Sequence, residues 1–269
     1  MQEFFYKEKG IYYRTNDFKP NRLTLIFIHG VSSSSSAWFE FEEIFGNKYN
    51  ILTYDLRGHG KSLKFPKYSD YKIESFSEDI FNLVKYVGIQ RFVLISHSFG
   101  TFVAMEFLAE HQDMLSGIVF LSPSISKAKK FMSRVIGGIL GITRIFELFP
   151  LGRRTAGQVD YIKYKGTGDF SIRRLWADIC NTSLRAYLFS IRRVYYFNRD
   201  DLLKKINIPV LVVHGKKDTY IPIKNSFTTD RIKNSEFITI ENADHIIVLN
   251  NVQELSQAIY RFLDRIKIH

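Results

Sequence analysis

Three residues in this chain could together run acyl transfer: Ser98, Asp218 and His245. A serine hydroxyl is a weak nucleophile until a base removes its proton. A histidine can be that base, and a carboxylate can fix the histidine's tautomer. The three follow one another at intervals of 120 and 27 residues, so only a fold could unite them. Two serines compete for the first role, because "ISHSFG" (95–100) carries Ser96 and Ser98 on either side of His97. Asp244 competes for the acid role, although a residue adjacent to His245 on one loop is poorly placed to face its ring. His29, His59 and His97 are rivals as base, and His111 and His214 read as structural.

The elements needed to bring these residues together are legible in the apolar pattern. "LTLIFIHG" (23–30), "YNILTYD" (49–55), "RFVLIS" (91–96), "SGIVFLSP" (116–123), "IPVLVVHG" (208–215) and "EFITIE" (236–241) are short apolar runs that read as buried strands. Helical spacing appears in 74–88, with Gly88 as a stop signal, in 99–111, and in 251–266. A further short helix is expected near 223–232. The charged, aromatic start suggests an antiparallel hairpin at a sheet edge. Strands alternating with helices predict an α/β fold with a mostly parallel central sheet covered on both faces. In such a sheet, ligands bind beyond the carboxyl ends of the strands. His29-Gly30-Val31, Ser96-His97-Ser98, Asp218 and His245 all fall there.

Residues 124–206 interrupt the alternation, and read as a basic, mainly helical insertion between two parts of one core, 1–123 and 207–269. Residues 123–206 hold 17 Lys and Arg against 6 Asp and Glu, a net +11, while the rest of the chain carries 21 of each sign. The whole charge imbalance therefore sits in one segment. A solvated basic face explains it, and so does a surface that attracts anions. "FMSRVIGGILGITRIFELFPLGRR" (131–154), with Arg134, Arg144, Arg153 and Arg154, could lie on an anionic membrane surface or cover a site with its apolar side. Basic and aromatic residues interleave at 173–197, a pattern that single-stranded nucleic acid can exploit, but no nucleic acid is expected. The serine run at 32–36 reads as flexible loop.

Four further motifs stand in register with the strand ends: "HG" at 29–30, "DLRGHGKS" at 55–62, "HGKKDTYIP" at 214–222 and "NADH" at 242–245. With "SHSFG" they make the chain resemble the α/β-hydrolase fold superfamily, whose nucleophile elbow is Gly-x-Ser-x-Gly between a strand and a helix. The resemblance spans 29–245 apart from the insertion. It implies that Ser98 is the nucleophile, Asp218 the acid and His245 the base. It also implies an oxyanion hole from the backbone N–H groups of Val31 and Phe99. In that family an insertion at this position forms a lid. Ser96 departs from the commoner glycine, so a slightly more crowded turn is expected. Asp55 and Arg57 are expected to pin a loop.

The implied activity is that of a carboxylesterase on small or medium acyl esters, possessing no metal and no cofactor. The same residues would serve a monoacylglycerol or lysophospholipid lipase, a thioesterase or a C–C bond hydrolase. A ligand-binding receptor on the same fold is the non-enzymatic alternative. The histidines lack metal-ligand spacing and no glycine-rich phosphate loop occurs. No secretory signal, no membrane span and a single cysteine, Cys180, give the expectation of a cytoplasmic protein.

Overall fold

The structure, a computed structural model, describes residues 1–124, 138–148, 157–199, 201–223, 226 and 232–266. Eight strands form one sheet in the order β1-β2-β4-β3-β5-β6-β7-β8. They are β1 (Gln2–Tyr6), β2 (Ile11–Thr15), β3 (Thr24–Ile28), β4 (Asn50–Tyr54), β5 (Phe92–His97), β6 (Leu115–Leu121), β7 (Val210–Gly215) and β8 (Ser235–Ile240). From β4 to β8 every neighbouring pair is parallel. The β1–β2 hairpin adds antiparallel to the β4 edge.

Each central strand feeds two cores, because successive side chains point to opposite faces of a sheet. Ile26 and Ile28 of β3, Leu94 of β5 and Phe120 of β6 join one apolar cluster. Leu25 and Phe27, Val93 and Ile95, and Val119 and Leu121 join the other. This is why those strands read as continuous apolar runs and not as alternating ones. Helices α2 (Ile73–Val87) and α3 (Phe99–His111) cover the first face. Helices α1 (Phe39–Gly46) and α6 (Val252–Ile266) cover the second. Gly88 ends α2 in the left-handed conformation at φ 83°, the conformation that glycine adopts without a steric penalty.

Between β6 and β7 the chain leaves the sheet. The described part of this segment contains a 3₁₀ stretch at Leu140–Leu148, a second at Tyr161–Tyr164, and helices α4 (Ile172–Thr182) and α5 (Leu184–Val194). The amphipathic run 173–197 is therefore two helices. Ser183 breaks it at φ 75°, and its hydroxyl accepts from the Ala186 N–H at 3.3 Å. Arg134, Arg153, Arg154 and most of the helix expected near 223–232 lie outside the described residues.

The serine run corrects an expectation. Ser34, Ser35 and Ser36 are buried, not a flexible loop. Ser34 and Ser36 share a hydrogen bond at 2.7 Å, and the Ser36 hydroxyl donates to the Val159 carbonyl at 2.7 Å. The Ser35 N–H donates to Asp55 at 2.7 Å. Small hydroxyl side chains can be buried here because the β4 loop and the inserted segment supply partners. Ser35 and Ser36 open a 3₁₀ turn, Ser35–Trp38, that leads directly into α1. Among the described residues, no helix is long and apolar enough to cross a membrane.

Candidate active site

The sheet reverses its order of growth between β3 and β5, and the crevice beyond their carboxyl ends is where such sheets hold ligands. Ser98 stands there, immediately after β5, with φ 51° and ψ −115°. That is a strained conformation for a residue with a Cβ. The turn is enforced from both sides. The Ser98 N–H donates to Leu121 of β6 at 3.0 Å. At Gly100, a Cβ would lie 2.7 Å from the carbonyl oxygen of His29. Glycine there lets α3 start hard against the end of β3.

Ser96 does not compete for the site. It is fully buried, and its hydroxyl donates sideways to the Val119 carbonyl of β6 at 3.2 Å. The turn accommodates its side chain by directing it into the neighbouring strand.

Ser98, His245 and Asp218 meet. His245 Nε2 lies 2.8 Å from the Ser98 Oγ, and His245 Nδ1 lies 2.8 Å from Asp218 Oδ2. The second Asp218 oxygen accepts from the Ile221 N–H at 2.7 Å. Burial alone would push the Asp218 carboxyl up. The His245 hydrogen bond and charge, the Ile221 N–H and nearby His214 outweigh it and hold the group below its ordinary range. With Asp218 ionised, Nδ1 of His245 carries the proton and Nε2 is left to accept from Ser98.

The rival groups are occupied elsewhere. Asp244 accepts from the Ile246 N–H at 2.9 Å and from Asn250, so it shapes the loop and does not face the His245 ring. His29 donates from Nδ1 to the Gly30 carbonyl at 2.7 Å and accepts at Nε2 from the Leu56 N–H at 3.0 Å. His59 donates to the Arg57 carbonyl at 2.9 Å. Asp55 accepts from the backbone of Ser35 and Lys61 at 2.7 Å each, and Arg57 grips Asp79 through two nitrogens at 2.7 and 2.6 Å. Those two residues pin their loop, as the sequence suggested.

Val31 and Phe99 line the cavity beside Ser98. Phe99 is the first residue of α3, so its N–H has no acceptor within the helix. A Cβ at Gly30 would lie 3.3 Å from that of Ser98, which places the turn carrying Val31 directly against the elbow. Among the described residues, no cluster of His, Cys, Asp or Glu could hold a metal ion.

The cavity measures about 720 Å³ and lies between the strand-end loops and the inserted segment. Its wall is mainly apolar, with Phe102 from α3, Leu175 and Ile179 from α4, and Ile191 and Val194 from α5. A small polar group interrupts it. Tyr161 donates to Asp178 at 2.7 Å, and Arg174 approaches the same carboxylate at 3.8 Å. Burial pushes Asp178 up to about 6, against the pull of Tyr161 and Arg174.

A sequence profile of the alpha/beta hydrolase fold matches residues 24–252. The chain belongs to this family. The α/β hydrolase is 25% identical over 284 residues to a non-heme chloroperoxidase of Kitasatospora aureofaciens, covering 98% of this chain and 96% of that protein. Its fold superposes with a TM-score of 0.74 on an alpha/beta hydrolase enzyme from a Medee basin deep-sea metagenome, at 19% identity, covering 98% and 97% of the two chains. A thermophilic esterase from Thermogutta terrifontis superposes at 0.69 with 19% identity, over 95% and 94%.

Two further residues stand beside the site, one read from the sequence as structural and one not singled out there. His214, at the end of β7, places Nε2 3.4 Å from Asp218 Oδ2 while donating to the Ile221 carbonyl at 2.8 Å. Its position four residues before Asp218 was the available signal. Asp169, in the inserted segment, accepts from the His245 N–H at 2.8 Å. Nothing in "GTGDF" singles it out.

Proposed function

We propose that the protein is a serine hydrolase that cleaves carboxylic esters of small to medium acyl chains through an acyl-enzyme on Ser98. One observation carries this reading. Oγ of Ser98, the imidazole of His245 and the carboxylate of Asp218 form a continuous hydrogen-bonded line with two links of 2.8 Å. In the first half-reaction His245 Nε2 takes the Ser98 proton as Oγ attacks the ester carbonyl. Negative charge develops on the carbonyl oxygen, where the N–H groups of Phe99 and Val31 receive it. Collapse breaks the bond to the alkoxy group, which leaves with the proton from His245. Water then gives a proton to His245 as its oxygen attacks the acyl carbon, and the proton returns to Ser98 as the acid is released. Asp218 holds the ring throughout and stabilises the imidazolium.

The inserted segment serves in this reading as a lid that shapes the acyl pocket. The apolar side chains that α4 and α5 turn toward the cavity support an acyl or aromatic substrate part. The fold shared with a thermophilic esterase accords with this reading.

The test is labelling with a fluorophosphonate, followed by a p-nitrophenyl ester chain-length series run beside a thioester and a monoacylglycerol. An adduct on Ser98 and preference for oxygen esters of short or medium chain are expected. A folded protein that forms no adduct would support the ligand-binding alternative. Faster thioester or monoacylglycerol turnover would reassign the substrate class on the same residues.

A further inference from the structure

Asp169 belongs to the inserted segment, yet its carboxylate is spent on the two loops that carry His245 and Asp218. It is 5% exposed. One oxygen accepts from the backbone N–H of His245 at 2.8 Å. The other accepts from the N–H of Thr219 at 3.0 Å and from the Thr219 hydroxyl. Thr219 directly follows Asp218. A single side chain therefore clips together the loop after β7 and the loop after β8, at the residues where proton transfer is aligned.

The clip is itself held firmly. Arg174, buried in α4, donates to the Asp169 carbonyl at 2.6 Å, to the Gly168 carbonyl at 2.9 Å and to the Thr167 hydroxyl at 3.1 Å. The Tyr220 hydroxyl donates to the same Asp169 carbonyl. The guanidinium thus grips the backbone of the turn and leaves the carboxylate to the loops. A buried carboxylate satisfied by N–H and O–H donors costs much less than an unpaired one, and its bonds are of the stronger, charge-assisted kind.

We propose that Asp169 is a positioning residue through which the inserted segment sets the alignment of His245 with Ser98 and Asp218. The proposal rests on the reading of those three residues as a catalytic triad. Its consequence is that the segment shaping the acyl pocket also tunes the chemical step. A misplacement of about 1 Å at a reacting group can lower a rate by about 10²-fold. Releasing His245 from this clip should act on turnover and not on binding.

The experiment compares Asp169→Ala and Asp169→Asn in the full chain. The readouts are kcat and KM on a p-nitrophenyl ester, the rate of Ser98 labelling by a fluorophosphonate, and thermal unfolding. Lys165→Ala is the control, since its bond to Glu40 at 2.7 Å ties the same segment to the core far from the relay in sequence and at the surface. Asp169→Ala should lower kcat by about 10²-fold, leave KM unchanged and slow Ser98 labelling by a similar factor. Asp169→Asn, which keeps one acceptor oxygen and folds with nearly the same shape, should fall between Ala and the parent. Lys165→Ala should keep the parent's kcat. If Asp169→Ala does not fold, Asp169→Asn decides by the same measures. Unchanged kcat, or a loss confined to KM, overturns the proposal while Ser98 labelling of the parent leaves the triad reading standing. A parent chain that neither labels at Ser98 nor loses turnover on Ser98→Ala removes both.

Discussion

The Nε2–H of His97 donates to the backbone carbonyl of His245 at 2.9 Å. One histidine of the elbow thus supports the loop that carries the other, with their rings 5.2 Å apart. His97 is buried, and burial, reinforced by His245, pushes its pKa down to about 3. It stays neutral where an unfolded histidine would be charged.

That depression predicts an acid sensitivity. The folded group binds its proton only near pH 3, whereas the unfolded group does so near 6.5. Stability from this site is complete above about pH 6.5 and is lost progressively as pH falls toward 3. His97→Gln keeps a donor without the titration. Proton uptake on unfolding at pH 5 should then drop by about one proton, measured from the pH dependence of denaturant midpoints. An unaltered slope would refute the assignment.

Ser98 should show opposite effects on activity and stability. Ser98→Ala should fold as the parent and lose on the order of 10⁴- to 10⁶-fold in kcat. Ser98→Gly should be equally inactive but more stable by about 1 kcal/mol, because glycine relieves the backbone at φ 51°. A glycine variant less stable than the alanine variant would show that the elbow stores no strain.

Asp218→Asn should leave the loop in place and lower kcat by about 10⁴-fold, by favouring the wrong His245 tautomer. Its stability profile should change as well. The Asp218 carboxyl is held below its ordinary 3.8 by His245, Ile221 and His214 against the opposing effect of burial. It therefore contributes stability above that value, which disappears as pH falls through the folded pKa. The asparagine variant should lack this acid limb in pH-dependent melts.

Ser96→Gly tests the elbow's departure from glycine. Its hydroxyl bonds only to the Val119 carbonyl among the described residues, so ester turnover should persist. Stability should fall by about 1 kcal/mol from the lost hydrogen bond and the freer strand end. Abolished turnover in a folded variant would mean that Ser96 acts in the reaction.

Much of this arrangement could be read from the chain because it rests on local signals. β5 and α3 were bounded almost to the residue, since an apolar run ends at a polar triplet and helical spacing starts at Phe99. The meeting of Ser98 with Asp218 and His245 followed from strand ends sharing one rim. α1 was missed because the serine run preceding it resembles loop, and only tertiary partners such as Val159 and Asp55 show why it is buried. Asp169 was invisible for the same reason. Its partners lie 50 and 76 residues away and, apart from the Thr219 hydroxyl, are backbone N–H groups, which leave no trace in residue types.

The separation of 147 positions between Ser98 and His245 also imposes an order in time. Synthesis completes the elbow and its helix long before the histidine exists, and the strands that deliver Asp218 and His245 are the last two along the chain. A nascent chain carries its serine hydroxyl without either relay partner until β7 and β8 dock. If Ser98 acts as proposed, its reactivity arrives only with the last two strands, and a chain ending before residue 245 should not label with a fluorophosphonate.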